Sequence, residues 1–247
     1  EYEYYMALVE IFRDIGKNDL LRSNFHFSRV KPLNDCFEYI KNKLVEYLDT
    51  IQISQDKKNR QIQKRLLEYT GVDGVGSGKK LFLYFNYTNT IDLYRNWSSD
   101  DRIQLIHIHG KLGDNLNPII FGYGDEMDSF YSQIKQLNQN DFLVNMKSYD
   151  YLKTSNLQKL NEFLSEGKFT VKIMGHSCGV SDRVLLNRIF EHQNCDRIKV
   201  FYYETEKSDD YSDKIREISR HLGQKNILDL VCPKGISEPM IPYIKQT

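Results

Sequence analysis

Five short, largely apolar runs constrain this chain more than any other feature: Leu81–Phe85, Ile103–Ile108, Phe169–Met174, Ile198–Tyr202 and Asn226–Val231. A strand with apolar residues pointing to both faces is one buried on both, the condition of a parallel sheet covered by helices. Between the runs lie stretches with helical character: Ile91–Trp97, a long one within Met127–Ser165, Asp182–His192 and Tyr211–Leu222. Strand and helix therefore alternate, which predicts an α/β fold with a parallel sheet and helices on both faces. The tail, with Pro233, Pro239 and Pro242, is expected to be irregular.

The chain ahead of the first run reads differently. Tyr4, Leu8, Ile11, Phe12 and Ile15 recur at three–four spacing, and so do Phe37, Ile40, Leu44, Val45 and Leu48 after Pro32. A third, polar helix is expected over 56–69, carrying Lys57, Lys58, Arg60, Lys64 and Arg65. A solvated helix face accounts for that basic cluster first, and a nucleic-acid contact is the minority alternative. Tyr4, Tyr5, Phe12 and Phe37 offer more apolar area than three short helices can bury among themselves. Residues 1–78 are therefore expected to form a helical section that caps the sheet, and 79–247 the α/β section, as one structural domain.

The glycine-rich join, Gly71 to Lys80, is not a phosphate loop. Asp73 stands where the first glycine of that pattern belongs, and Lys80 stands where a hydroxyl residue must meet magnesium. The segment also follows a helix and precedes a strand, the reverse of the order that presents helix N–H groups to phosphate. It reads as a flexible connector.

Composition narrows the function. Lys and Arg number 34 against 34 Asp and Glu, so no global charge draws the chain to nucleic acid or an anionic membrane. No apolar run approaches the ~18 residues of a membrane span. The four cysteines, Cys36, Cys178, Cys195 and Cys232, are far apart and form no Cys-x-x-Cys pair. That argues against a disulfide scaffold or a structural zinc site and suits a reducing, cytoplasmic setting.

In an open parallel sheet, ligands bind beyond the carboxyl ends of the strands. After the first run stand Asn86, Tyr87, Thr88, Asn89 and Thr90. After the second come His107, His109 and Gly110, and after the third Gly175-His-Ser177-Cys-Gly179 with Ser181 and Asp182. Asn86 and Asn89 suit ligand contacts or the cap of the next helix. His107 and His109 lie two apart on a strand and so share a face. Without an acidic or cysteine partner at ligand spacing they do not complete a metal site, and His107 reads as a packing residue. Gly175 to Gly179 also matches the Gly-x-Ser-x-Gly nucleophile elbow, with Ser177 as nucleophile, His221 as base and Asp196, Asp209 or Asp229 as acid. His221 falls on a helix, however, where that fold does not put its base.

Four of these motifs in order resemble the AbiH family of bacteriophage abortive-infection proteins: Phe85-Asn86-Tyr87-Thr88-Asn89-Thr90, Ile106-His107-Ile108-His109-Gly110, Pro118-Ile-Ile-Phe-Gly122-Tyr-Gly124-Asp125 and Gly175-His176-Ser177 with Ser181-Asp182. The order Asn, His-Gly, Gly-x-Ser is also similar to the sirtuin-like NAD-binding group. The resemblance runs from about Leu81 to Phe190 and implies a Rossmann-like, sirtuin-like sheet. It further implies NAD as substrate or ligand, and a NAD-hydrolysing or NAD-sensing effector of phage defence. On that basis Asn86 and His109 are the candidate catalytic residues of a NAD glycohydrolase. Thr88, Asn89, Gly110, Gly175, Ser177 and Asp182 are the candidate cofactor-binding residues. The family pattern also has an N-terminal strand with a Gly-x-Gly-Phe-Asp-like turn for the cofactor's phosphates. This sequence opens at Glu1, already in a helical pattern, so that strand is expected upstream. Two rivals stand beside this expectation: a serine hydrolase using Ser177, and a non-catalytic nucleotide-binding module that assembles with itself or with another defence-system protein.

Overall fold

The computed structural model describes residues 1–16, 28–51, 53–54, 58–70, 78–94, 101–124, 126 and 128–241. The glycine-rich join at 71–77, the end of the Ile91–Trp97 stretch, Asp125 and Pro242 lie outside them. The first two apolar runs form β1 (Lys80–Tyr84) and β2 (Ile103–His107), paired in parallel with Leu83 opposite Ile106. The next two form β3 (Phe169–Met174) and β4 (Cys195–Tyr202), also parallel, with Ile173 opposite Val200.

The strands are parallel, but among the described residues they form two ladders where one sheet was expected. A common core joins them. Ile106 and Ile108 from the first ladder and Ile173, Ile198 and Val200 from the second bury against Leu160, Leu164, Leu185, Ile189, Phe190 and Ile218. Those last six come from the helices α6 (Asn156–Ser165), α7 (Arg183–Phe190) and α8 (Tyr211–Ser219). The opposite face of β1 packs Phe82 and Tyr84 against Leu66 and Ile62 of α3 (Arg60–Thr70), and Met174 of β3 joins the same cluster.

Three expectations fail for local reasons. The fifth apolar run is the short helix α9 (Ile227–Leu230), because Asn226 accepts a hydrogen bond from the Leu228 N–H and starts a helical turn. Only Val231 keeps a strand contact, a parallel bridge to Ile198. The supposedly irregular tail instead supplies β5 (Glu238–Pro239), which pairs with Phe201 and Tyr202 of β4. Proline is tolerated there because an edge position asks for no ladder N–H on its outer side.

The long helical stretch is also broken. α4 (Ser129–Gln136), capped by Asp128 through the Phe130 N–H, ends before Asn138, whose φ of 55° is left-handed. A turn at 140–142, then α5 (Lys147–Asp150) and a turn at 151–153, precede α6.

The N-terminal helices α1 (Tyr2–Gly16) and α2 (Val30–Asp49) rest on this broken segment more than on the strands. Tyr4, Tyr5, Leu8, Val9, Ile11, Val30 and Phe37 bury with Tyr123, Tyr131, Ile134, Phe142 and Met146. The Tyr5 and Tyr123 rings stack at 4.1 Å and those of Phe37 and Phe121 at 5.0 Å. Tyrosine in such a core keeps its hydroxyl bonded: the Tyr5 OH donates to Asp128 Oδ1 at 2.7 Å. The aromatic surplus of α1 and α2 thus finds its cover between β2 and α6, and α3 is what covers β1.

Two outcomes follow from this packing. Residues 80–247 expressed alone leave Tyr123, Tyr131, Ile134, Phe142 and Met146 uncovered, so the fragment should aggregate or lack a cooperative melt. A well-dispersed fragment with a sharp thermal transition contradicts this. Gly110 has φ +87°, and a Cβ there would lie 2.1 Å from the Pro118 carbonyl oxygen. Gly110→Ala should therefore destabilise the full chain by at least ~2 kcal/mol, the left-handed penalty plus the displacement of Pro118, read from urea midpoints at constant slope.

Candidate functional site

The carboxyl ends of β1, β2 and β3 meet around one buried carboxylate. Beyond β2, His109 is pinned by its own backbone, since its carbonyl accepts the Ile120 N–H at 2.8 Å as the chain doubles back past Gly110. Its ring meets Phe85 edge-on at 5.0 Å and lies parallel to Tyr151. His109 Nε2 stands 3.2 Å from Asp182 Oδ1 and 3.1 Å from the Tyr151 hydroxyl. Asp182 precedes α7, yet its side chain does not cap that helix. The carboxylate turns inward instead.

Lys147, at the start of α5, completes the cluster. It is 1% exposed, and its Nζ donates to Asp182 Oδ1 at 2.8 Å and to Glu1 Oε2 at 3.2 Å. The Gly122-Tyr-Gly124 motif explains how so long a side chain fits. A Cβ on Gly122 would meet the Asn145 carbonyl oxygen at 2.3 Å, and one on Gly124 would meet the Ser181 oxygen at 2.8 Å and the Lys147 stem at 3.4 Å. Small residues let the two strands of backbone close over the lysine.

The other carboxylate oxygen faces a second imidazole. His176 Nε2 is 3.5 Å from Asp182 Oδ2, while its Nδ1 accepts the Cys178 N–H at 3.0 Å. An Nδ1 that accepts must be unprotonated, so the ring carries its hydrogen on Nε2, toward Asp182. Phe85 packs against this ring as well, at 4.1 Å.

The electrostatics follow from burial and pairing. Burial alone would raise the Asp182 carboxyl, but hydrogen bonds from His109 and His176 and the Lys147 charge outweigh it and hold the group well below the usual carboxylate range. Burial pushes His109 down, and Lys147 adds to that while Asp182 opposes it, so the imidazole is held neutral. Burial, with Asp182 and Glu1 nearby, pushes the Tyr151 hydroxyl above its ordinary value, and it stays protonated.

A cavity of about 290 Å³ opens onto this cluster, lined by Asn86, His109, Lys147, Gly175, Ser177 and Asp182, with Glu1, Phe85, Tyr87 and His176. Five expected site residues thus converge: Asn86, His109, Gly175, Ser177 and Asp182. Asn86 and Ser177 are exposed at the mouth. Gly175, at φ +70°, turns the chain out of β3.

The remaining three expected residues do not line this cavity. Thr88 and Asn89 line a separate one of about 470 Å³, beside Leu48, Asp49 and Leu112, because the turn after Tyr87 carries them away from the strand ends. Gly110 is a turn residue under Pro118. His107 packs its ring edge-on against Tyr84 at 5.1 Å. Among the described residues no group of three or more His, Cys, Asp and Glu could hold a metal ion.

The elbow geometry is not met. The left-handed residue is Cys178, with φ 58°, and not Ser177. His221, fully buried, bonds through Nε2 to the Cys178 carbonyl at 2.7 Å. Asp209 pairs with Lys234.

A family model described as bacteriophage abortive infection AbiH matches residues 2–204. The chain belongs to the AbiH family. No curated protein and no solved structure matches it. The AbiH match spans every cavity-lining residue except Glu1, and it leaves His221 outside. Lys147, His176 and Tyr151 were missed in the sequence. His176 lies inside one of the AbiH-like motifs, between Gly175 and Ser177. Lys147 lies in an irregular stretch with no spacing signal, and only the fold brings it to Asp182.

Removing the shared carboxylate leaves Lys147 with Glu1 alone. Asp182→Asn should cost ~3–5 kcal/mol, the scale for breaking a buried ion pair, measured by chemical denaturation. The pH dependence has one sign. Asp182 is depressed in the folded state, so its contribution is present above the unfolded carboxyl value and lost as pH falls below it. His109 and His221, both lowered chiefly by burial, resist protons that the unfolded chain takes up below about 6.5. The melting temperature should therefore hold between pH 8 and 7, decline below about 6.5, and fall more steeply near pH 4; a flat profile across pH 7 to 4 contradicts this account.

Proposed function

We propose that this AbiH-family chain acts in abortive infection of phage-infected cells, and that its Asp182–His109 cavity binds the nicotinamide-ribose end of NAD and hydrolyses the glycosidic bond. The observation that carries the reading is the buried, hydrogen-bonded Asp182–His109 pair facing a cavity at the carboxyl ends of parallel strands. The charge balance supports it further. Asp182 and Glu1 bring two carboxylates to the cavity, which suits a cationic nicotinamide ring and an oxocarbenium-like transition state. Phe85 and Tyr87 add aromatic faces. At about 290 Å³ the cavity is at the small end of ligand sites, room for half of the dinucleotide.

In this mechanism a water oxygen bonds to C1′ of the ribose as the C1′–N bond breaks. The electron pair of that bond leaves with nicotinamide, which becomes neutral. The surplus proton of the water passes to His109 and then to solvent. A neutral imidazole can take it, and Asp182, 3.2 Å away, stabilises the imidazolium that forms. Asn86, exposed at the mouth, offers both a donor and an acceptor to orient a ribose hydroxyl or the water.

His109→Ala and Asn86→Ala should each lower NAD turnover by ~100-fold or more, followed as nicotinamide release, and the double variant should lose scarcely more than either single one. Asn86→Ala should melt as the unsubstituted chain does. Ser177→Ala should weaken binding by only ~1 kcal/mol, one hydrogen bond. Wild-type rates in both single variants, while NAD is consumed, refute the site; NAD binding without turnover refutes hydrolysis and leaves a sensor.

A further inference from the structure

The lysine that sequence reasoning missed has a more specific job than filling space. Lys147 Nζ and His109 Nε2 compete for one atom, Asp182 Oδ1, at 2.8 Å and 3.2 Å. A buried carboxylate needs one full counter-charge nearby, and two groups here could carry it. Lysine holds its proton far more strongly than imidazole does. With Lys147 in place the cluster is satisfied by Lys147 as the cation and His109 as a neutral donor.

We propose that Lys147 is a positioning residue: it supplies the counter-charge of Asp182 and thereby keeps His109 as the neutral partner of that carboxylate, able to accept a proton. The proposal rests on His109 being the base of the reaction above, but its physical content is a protonation state that can be read without turnover. If Lys147 loses its charge, the carboxylate takes its counter-charge from the nearest group able to bind a proton, and His109 becomes an imidazolium.

The groups around His109 leave it as that acceptor. Burial opposes its protonation first and Lys147 adds to that, while Asp182 and Glu1 favour it, so the loss of Lys147 tips the balance toward the two carboxylates. Tyr151, 3.1 Å from Nε2, stays a neutral phenol, as does Tyr87 nearby. His176 is the other imidazole on Asp182, but its Nδ1 already accepts the Cys178 N–H. Protonating His176 would set two hydrogens against each other there, so the proton goes to His109.

The test is the ring ¹⁵N spectrum of the full chain at pH 7, with the His109 signals assigned by their loss in His109→Gln. The unsubstituted chain should show a neutral ring with its hydrogen on Nε2. Lys147→Met should show an imidazolium, with the two ring nitrogens at nearly the same shift. Lys147→Arg, which keeps the charge, should look like the unsubstituted chain. Should Lys147→Met fail to fold, Lys147→Gln, which retains a donor to Asp182 but no charge, should show the same imidazolium. In turnover, the acid limb of the pH profile for Lys147→Met should move up by about one unit or more, a tenfold loss at a fixed pH on that limb.

A purely structural lysine predicts a lower melting temperature with His109 still neutral. A neutral His109 in a folded, uncharged variant at position 147 overturns the proposal, as does an imidazolium in Lys147→Arg. An imidazolium in Lys147→Met from a chain that never consumes NAD upholds the charge assignment and refutes only the hydrolase reading.

Discussion

One carboxylate gathers side chains that lie far apart in the sequence. Asp182 lies before α7, Lys147 opens α5, His109 follows β2 and His176 follows β3, and all three bond to its two oxygens. A charge with 8% of its residue surface exposed is tolerated only when donors surround it. The glycines at 122 and 124 answer the same requirement, because they let the backbone close over the Lys147 stem. The turn at Gly110 does so too, by fixing where His109 stands. Much of what looks like a scattered set of small motifs is the support of a single buried charge.

The packing gives that charge a rigid setting. Both ladders share one apolar core against α6, α7 and α8, so the ends of β1, β2 and β3 stay in place relative to one another without a common hydrogen-bonded sheet among the described residues. The aromatic cluster of α1 and α2 with Tyr123, Tyr131 and Phe142 braces the segment that leads into Lys147. Met146 belongs to that cluster and Lys147 is the next residue. The N-terminal helices therefore reach the site through the chain they pack upon. No described helix is long and apolar enough to cross a membrane.

The site was legible where chemistry coincided with strand ends. Asn86, His109, Gly175, Ser177 and Asp182 line one cavity because the segments just beyond the ends of parallel strands converge, and the same segments carry the AbiH-like motifs. The same rule overreached at Thr88 and Asn89, since two further residues of turn suffice to point a side chain into a different cavity. It could not find Lys147 or Tyr151, which come from the irregular segment between β2 and α6. Their partners lie 35 and 42 residues away in the sequence, beyond the reach of any local periodicity.

The sequence by itself determined four parallel strands and the helices that follow β3 and β4, because short, largely apolar runs alternating with amphipathic stretches bury best in that order. It also determined the aromatic demand of α1 and α2 for a partner surface. Tertiary structure decided what that surface was, that Asn226–Val231 turns into a helix, and that Glu238–Pro239 pairs at the edge instead. Those outcomes hang on single caps and edge contacts, whose free energies are small beside the core. Above all it decided the protonation pattern around Asp182, because whether an imidazole is a base or a cation depends on which charge stands within hydrogen-bonding distance of it.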